Sequence, residues 1–271
     1  MVNQRAFSFT DDSIDITTNV DEQQRLRRSQ SPFSLNLQPA VELVKLRRIQ
    51  SCSYQKIFQS ERLPLNANWP IMCKAVHDME QWFSSLQARV NQALLHHAHC
   101  EVLFSNILML TPSNWIEELP SHAKFLIFQY AHEYADNILS SINTVSEVFG
   151  FYTSHDLLRA SFVAQRFISL MQIDHRLLIS SQLSTTPKTA AYPGVTMAWT
   201  SPDTLSRSDK DSLERLIRVF DCLKHFETAI EYFGLKYGYT DPLSEYQTEC
   251  SSLKHKLTSW ATSLTKEQGV P

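Results

Sequence analysis

Apolar residues recur every third or fourth position through most of this chain, the period of helices that bury one face. One stretch departs from that rhythm. In Leu94–Pro112, LLHHAHCEVLFSNILMLTP, every position from Val102 to Leu110 is apolar except Ser105 and Asn106. A helix that is apolar nearly all round has to be buried on all sides. It is too short to cross a bilayer, and it carries histidines and Glu101. The pattern predicts a buried central helix over about 94–111, against which other helices pack.

The other elements follow in chain order. Residues 1–38 are polar and charged and read as an extended or disordered arm. A first helix runs from Pro39 to Phe58, with Leu43, Leu46, Ile49 and Ile57 on one face and Lys45, Arg47 and Arg48 largely off it. A second runs from Pro70 through Trp82, with Met72, Val76, Met79 and Phe83 on one side. No proline or glycine interrupts residues 71–111, so a break near Ser84–Ser85 is expected before the central helix. NWIEEL, after Pro112-Ser113, makes a short turn or helix. The next helix opens at Ser121 as N-cap, carries Phe125, Phe128, Ala131, Ala135, Ile138 and Ile142, and is stopped by Gly150.

A further helix spans Ser154 to Ser180, with Leu157, Leu158, Phe162, Phe167, Leu170 and Met171 among its apolar positions. Residues 182–208, rich in Ser, Thr and Pro without a period, form a long loop. Ser208 and Asp209 then cap an amphipathic helix through Leu213, Leu216, Phe220, Leu223, Ile230 and Phe233, ending at Gly234 or Gly238. Asp241-Pro242 begins the last helix, to about Leu264. The expected fold is all-α: a multi-helix, orthogonal or bundle-like single domain over 39–265, interrupted at 182–208 and preceded by the arm.

Composition narrows this further. With 5 glycines in 271 residues there is little scope for tight hairpins or a phosphate-cradling loop, and GxGxxG, GxxxxGK[ST] and GxSxG are all absent. No cofactor is expected. The net charge of -3 lacks the basic excess of a free-standing nucleic-acid binder. Five scattered cysteines, at 52, 73, 100, 222 and 250, make no disulfide framework and no CxxC pair. They read as buried thiols in a reducing, intracellular setting. Neither a signal peptide nor a membrane span is expected, so the chain is placed in the nucleus or cytoplasm.

Together these features resemble the middle homology region of fungal binuclear zinc-cluster transcription factors, the fungal-specific transcription factor domain. FTDDSIDI (Phe9–Ile16) resembles the segment entering that region's later half, and VELVKLRRIQSCSYQKIF (Val41–Phe58) its leucine, arginine, isoleucine, then tyrosine helix. Trp82 stands where a tryptophan commonly follows. LLHHAHCEVLFSNILMLTPS (Leu94–Ser113) is the nearest match, and YAHEYADNI and DCLKHFETAIEYFGLKYG are similar to later helices. The resemblance covers roughly residues 7–240. It implies an all-helical regulatory domain of a nuclear protein, able to form a homodimer. The zinc-cluster cysteines and the helices that usually precede FTDDSIDI are missing, so no direct DNA binding is expected and the later half of the region alone is represented. The family carries no catalytic residues that transfer onto positions here.

Candidate chemistry lies in three places. His96, His99 and Cys100 share a helix face at i, i+3 and i+4 and are candidate metal ligands, though no third-element ligand is evident and no metal is expected. AHEYAD resembles the helical HExxH zinc motif, with Asp136 in place of the second histidine. Aromatics cluster in consecutive helices; Phe128, Tyr134, Phe151 and Tyr152 are candidates to line an apolar ligand pocket, with His132, Glu133, His155 and Asp156 as its convergent polar groups. Asp156 is equally explained by its place at a helix N-terminus.

Two functions follow. One is a regulatory domain answering to a hydrophobic small molecule or a protein partner. The alternative is a biosynthetic enzyme recruited onto this scaffold, a cyclase, isomerase or other acid–base catalyst acting on a hydrophobic molecule in a fungal secondary-metabolite pathway.

Overall fold

In a computed structural model the described residues are 38–59, 65–86, 92–111, 119–143, 152–180 and 209–267. Every regular element among them is helical: α1 (Gln38–Tyr54) continuing into a π-turn (Gln55–Gln59), α2 (Leu65–Leu86), α3 (Gln92–Leu110), α4 (Ser121–Asn143), α5 (Ser154–Ser180), α6 (Asp209–Tyr237) and α7 (Asp241–Glu267). The expected arm up to residue 37, the NWIEEL turn except its last residue, the Gly150 stop, Phe151 and the loop at 182–208 lie outside the described residues, while Gln38, placed at the end of the arm, opens α1. The chain divides into two compact units, Met1–Leu95 and His96–Pro271, with the division inside α3.

In the first unit α1 packs on α2. Met72, Val76 and Met79 bury the predicted side of α2, which begins at Leu65 rather than at Pro70. Pro70 is the sixth residue of the helix, so it forfeits the bond to the Asn66 carbonyl and crowds that carbonyl, yet the helix continues through it. The break falls after Leu86, not at the serines. Ser84 Oγ donates to the Glu80 carbonyl at 2.9 Å and Ser85 Oγ to the Trp82 carbonyl at 2.7 Å, satisfying both hydroxyls inside the helix. The inner face of α1 is more polar than its periodicity suggests: Leu46 and Ile57 are buried, but so are Glu42 and Gln50. Lys45 donates to Glu42 and Arg47 to Gln50, each at 2.8 Å, which offsets the cost of their burial.

In the second unit α4, α5 and α6 pack on one another in all three pairings, and α7 lies against α5 and α6. The face α7 presents is Tyr246, Cys250, Leu253, Leu257 and Trp260, alternating steps of four and three. From Cys100 to Thr111 every residue of α3 and its end is buried except the half-buried Phe104, as a helix apolar all round requires. Thr111 Oγ1 donates to the Ile107 carbonyl at 2.6 Å.

The helix ends show what the chain uses as punctuation. The Pro120 carbonyl accepts the Lys124 N–H at 3.1 Å, so the cap of α4 sits one residue before Ser121. Gly238, at φ 75°, ends α6, and Tyr239 N–H reaches back to the Gly234 carbonyl at 2.9 Å. That bond is the signature of a left-handed C-cap. Within α5, Asp174 leaves helical geometry (φ -119°, ψ 19°) and pairs with Lys124 of α4 at 2.8 Å. Leu158, expected in the core, is 62% exposed; the inward positions of that turn are taken by Leu157 and Ala160.

Candidate functional site

A polar network threads the helix-packed interior of the second unit where α3, α4 and the start of α5 meet. Its first half is built on Asn137 of α4. The Asn137 amide nitrogen donates to the His96 carbonyl and to Cys100 Sγ, both at 3.0 Å, and its oxygen lies 2.8 Å from His96 Nδ1. With the amide so oriented, that ring nitrogen carries the proton. Cys100 Sγ also lies 3.9 Å from the Tyr152 hydroxyl. The Tyr152 carbonyl in turn accepts the Tyr237 hydroxyl of α6 at 2.6 Å.

The second half is ionic. Arg159 of α5 pairs with Glu101 of α3 and, at 3.1 Å, with Asp156. Glu101 is 2% exposed, and buried carboxylates require such a partner. Arg159 also stands over the Phe104 ring at 5.4 Å. Burial works against its charge, but Glu101 and Asp156 outweigh burial and raise its pKa. Asp156 closes a capping box: it accepts the Thr153 N–H at 2.6 Å and the Thr153 hydroxyl at 3.1 Å, while His155 N–H donates to Thr153 Oγ1 at 3.3 Å.

The electrostatics keep the network's neutral groups neutral. Burial pushes the Cys100 thiol up to about 12, against the lowering effect of its bonds to Asn137 and Tyr152. It is therefore a thiol near neutrality, neither a nucleophile nor a ready metal ligand. Burial also raises Tyr152 and Tyr134, the latter wholly enclosed and stacked on Phe226.

The sequence candidates thus separate. His96, Cys100, Tyr152 and Asp156 are drawn into this network, with Tyr134 close enough to feel its charges. His99 turns toward Glu133, at 3.9 Å, and burial, then His96, lowers its pKa. His96, His99 and Cys100 are not gathered around one point, and among the described residues no three His, Cys, Asp or Glu side chains are placed to hold a metal ion. Glu133 and His155 are exposed. His132 lies among Phe128 (4.6 Å) and Phe167 (5.2 Å), and burial lowers its pKa to about 4. The Asp136 of the HExxD-like motif pairs with His225 of α6 at 2.8 Å.

Asn137 and Arg159 were not foreseen. A lone asparagine or arginine inside a helix carries no pattern of its own. Thr153-x-x-Asp156 did carry one, the spacing of a capping box. No protein-family model matches the chain, and no curated protein or solved structure does either.

Proposed function

We propose that this chain is a regulatory helical domain of the kind its helix pattern resembles, the middle homology region of fungal zinc-cluster transcription factors. It answers to a small molecule or protein partner, as a monomer or homodimer, and does not read DNA itself. Its place of action on this reading is the nucleus or cytoplasm of a fungus, in the control of a secondary-metabolite pathway.

One observation supports this over the catalytic alternative: the polar groups offered as an acid–base set have separate structural occupations. Asp156 caps α5 and binds Arg159, Glu133 and His155 face outward, and His132 sits between aromatic rings. General acid–base catalysis needs such groups within reach of one substrate atom.

Deleting the gene and measuring transcripts and pathway metabolites together tests the reading. A regulator changes the transcripts of neighbouring genes, with metabolites following. Metabolites that change while transcripts stay constant would contradict it and favour the enzyme.

A further inference from the structure

The first unit carries a feature that neither the regulatory nor the catalytic reading uses. Between α1 and α2 lies an open groove of about 300 Å³, at the lower end of small-molecule sites. Its rim holds Arg48, Lys56 and Lys74 against one carboxylate, Asp78. In a chain of net charge -3 this is a local reversal of sign. Lys74 pairs with Asp78 at 3.2 Å. Arg48 is exposed and, among the described residues, engages in no hydrogen bond or ion pair.

The geometry follows from the sequence. Arg48, Cys52 and Lys56 are spaced by four, so they line one edge of α1 as it enters the π-turn Gln55–Gln59. Single π-turns of this kind recur at functional sites. Ile49, Ile71 and Ala75 add apolar lining to the same groove as the three cationic side chains.

We propose that this groove binds a small organic anion, a carboxylate or phosphate group on a short hydrocarbon body. The Arg48 guanidinium takes the anionic group through its planar fork, Lys56 and Lys74 add charge, and the isoleucines cover the hydrocarbon. Binding here stands independently of whether the chain regulates transcription.

The test uses the full chain with two probes, inorganic phosphate and octanoate. Each is titrated by calorimetry, and alkylation of the exposed Cys52 is followed by peptide mass spectrometry with and without probe. At least one probe binds saturably and slows Cys52 alkylation; phosphate alone assigns the site to phosphates, and octanoate to carboxylates. Arg48→Ala weakens that binding about tenfold, the worth of one charge-assisted hydrogen bond. Lys74→Gln weakens it less, and Lys224→Ala, on the exposed face of α6, leaves it unchanged. If Arg48→Ala does not fold, Lys74→Gln decides. The proposal is overturned if neither probe binds at millimolar concentration, if affinity is the same in the rim variants, or if saturating probe leaves Cys52 alkylation unchanged.

Discussion

Replacing Arg159 with methionine leaves Glu101 and Asp156 facing each other's charge in a buried setting without their guanidinium. The loss costs about 3 kcal/mol, because His97, 3.9 Å from Glu101, and the Thr153 N–H and hydroxyl on Asp156 replace only part of the guanidinium's interaction. Urea denaturation of Arg159→Met at neutral pH reads this directly; a change below about 1 kcal/mol would mean the pair is solvated like a surface one. Asn106 predicts the opposite sign. It is 0% exposed, and neither atom of its amide has a partner among the described residues. Asn106→Leu therefore raises stability by about 1–3 kcal/mol, the desolvation cost of an unpaired polar group. A loss of stability would show that the amide is hydrogen-bonded.

His132 gives a pH dependence. Its pKa falls from 6.5 to about 4 on folding, so between those values the unfolded chain holds a proton that the folded chain does not. Its contribution is complete above 6.5 and is lost as pH falls toward 4. Asp136 opposes the shift, while Arg218 and His225 add to burial. Between pH 7 and about pH 5 this one group accounts for about 2 kcal/mol of lost stability. His132→Phe flattens that part of the profile, and an unaltered profile would contradict it. At this scale the sequence was a partial guide. It marked His96, Cys100, Tyr152 and Asp156 through density and type, but their meeting depends on Asn137 and Arg159, whose role appears only when α3, α4 and α5 are side by side.

Helix ends carry the predictions at the scale of elements. A Cβ on Gly234 would lie 2.5 Å from the Tyr239 carbonyl oxygen, which is backbone and held by the C-cap bond. Gly234→Ala must therefore open the turn between α6 and α7. Gly238→Ala meets open space and pays only for its positive φ, about 1 kcal/mol. Thermal denaturation ranks Gly234→Ala as the more damaging; equal or reversed effects would contradict the close approach. Helix positions were legible because apolar period and end signals agree. Ser154–Ser180 and the start at Asp241 came directly from those signals. The misplacements have local causes: Pro70 tolerated near a helix start, two serines bonded back into their helix, and Leu158 displaced outward by Leu157 and Ala160. The polar inner face of α1 was hidden because Glu42 and Gln50 are paid for by Lys45 and Arg47, neighbours that periodicity counts as surface.

For the whole molecule, two consequences follow from charge and burial. A net charge of -3 gives the chain no general attraction to phosphates, and the regulatory reading predicts that it leaves duplex DNA unretarded at physiological salt in a gel-shift assay. Tight, salt-sensitive retardation would contradict the regulatory reading. The second concerns α3, which is buried from Val102 to Leu110 except at the half-buried Phe104. No helix among the described residues is long and apolar enough to cross a membrane. Hydrogen–deuterium exchange resolved along the chain measures that burial most directly. Amides from Val102 to Leu110 are expected to exchange last, only with global unfolding, while those at the outward-facing Thr262 and Ser263 of α7 exchange early. Exchange of Val102–Leu110 as fast as that of Thr262 and Ser263 would contradict the burial of this stretch and the helical fold that contains it.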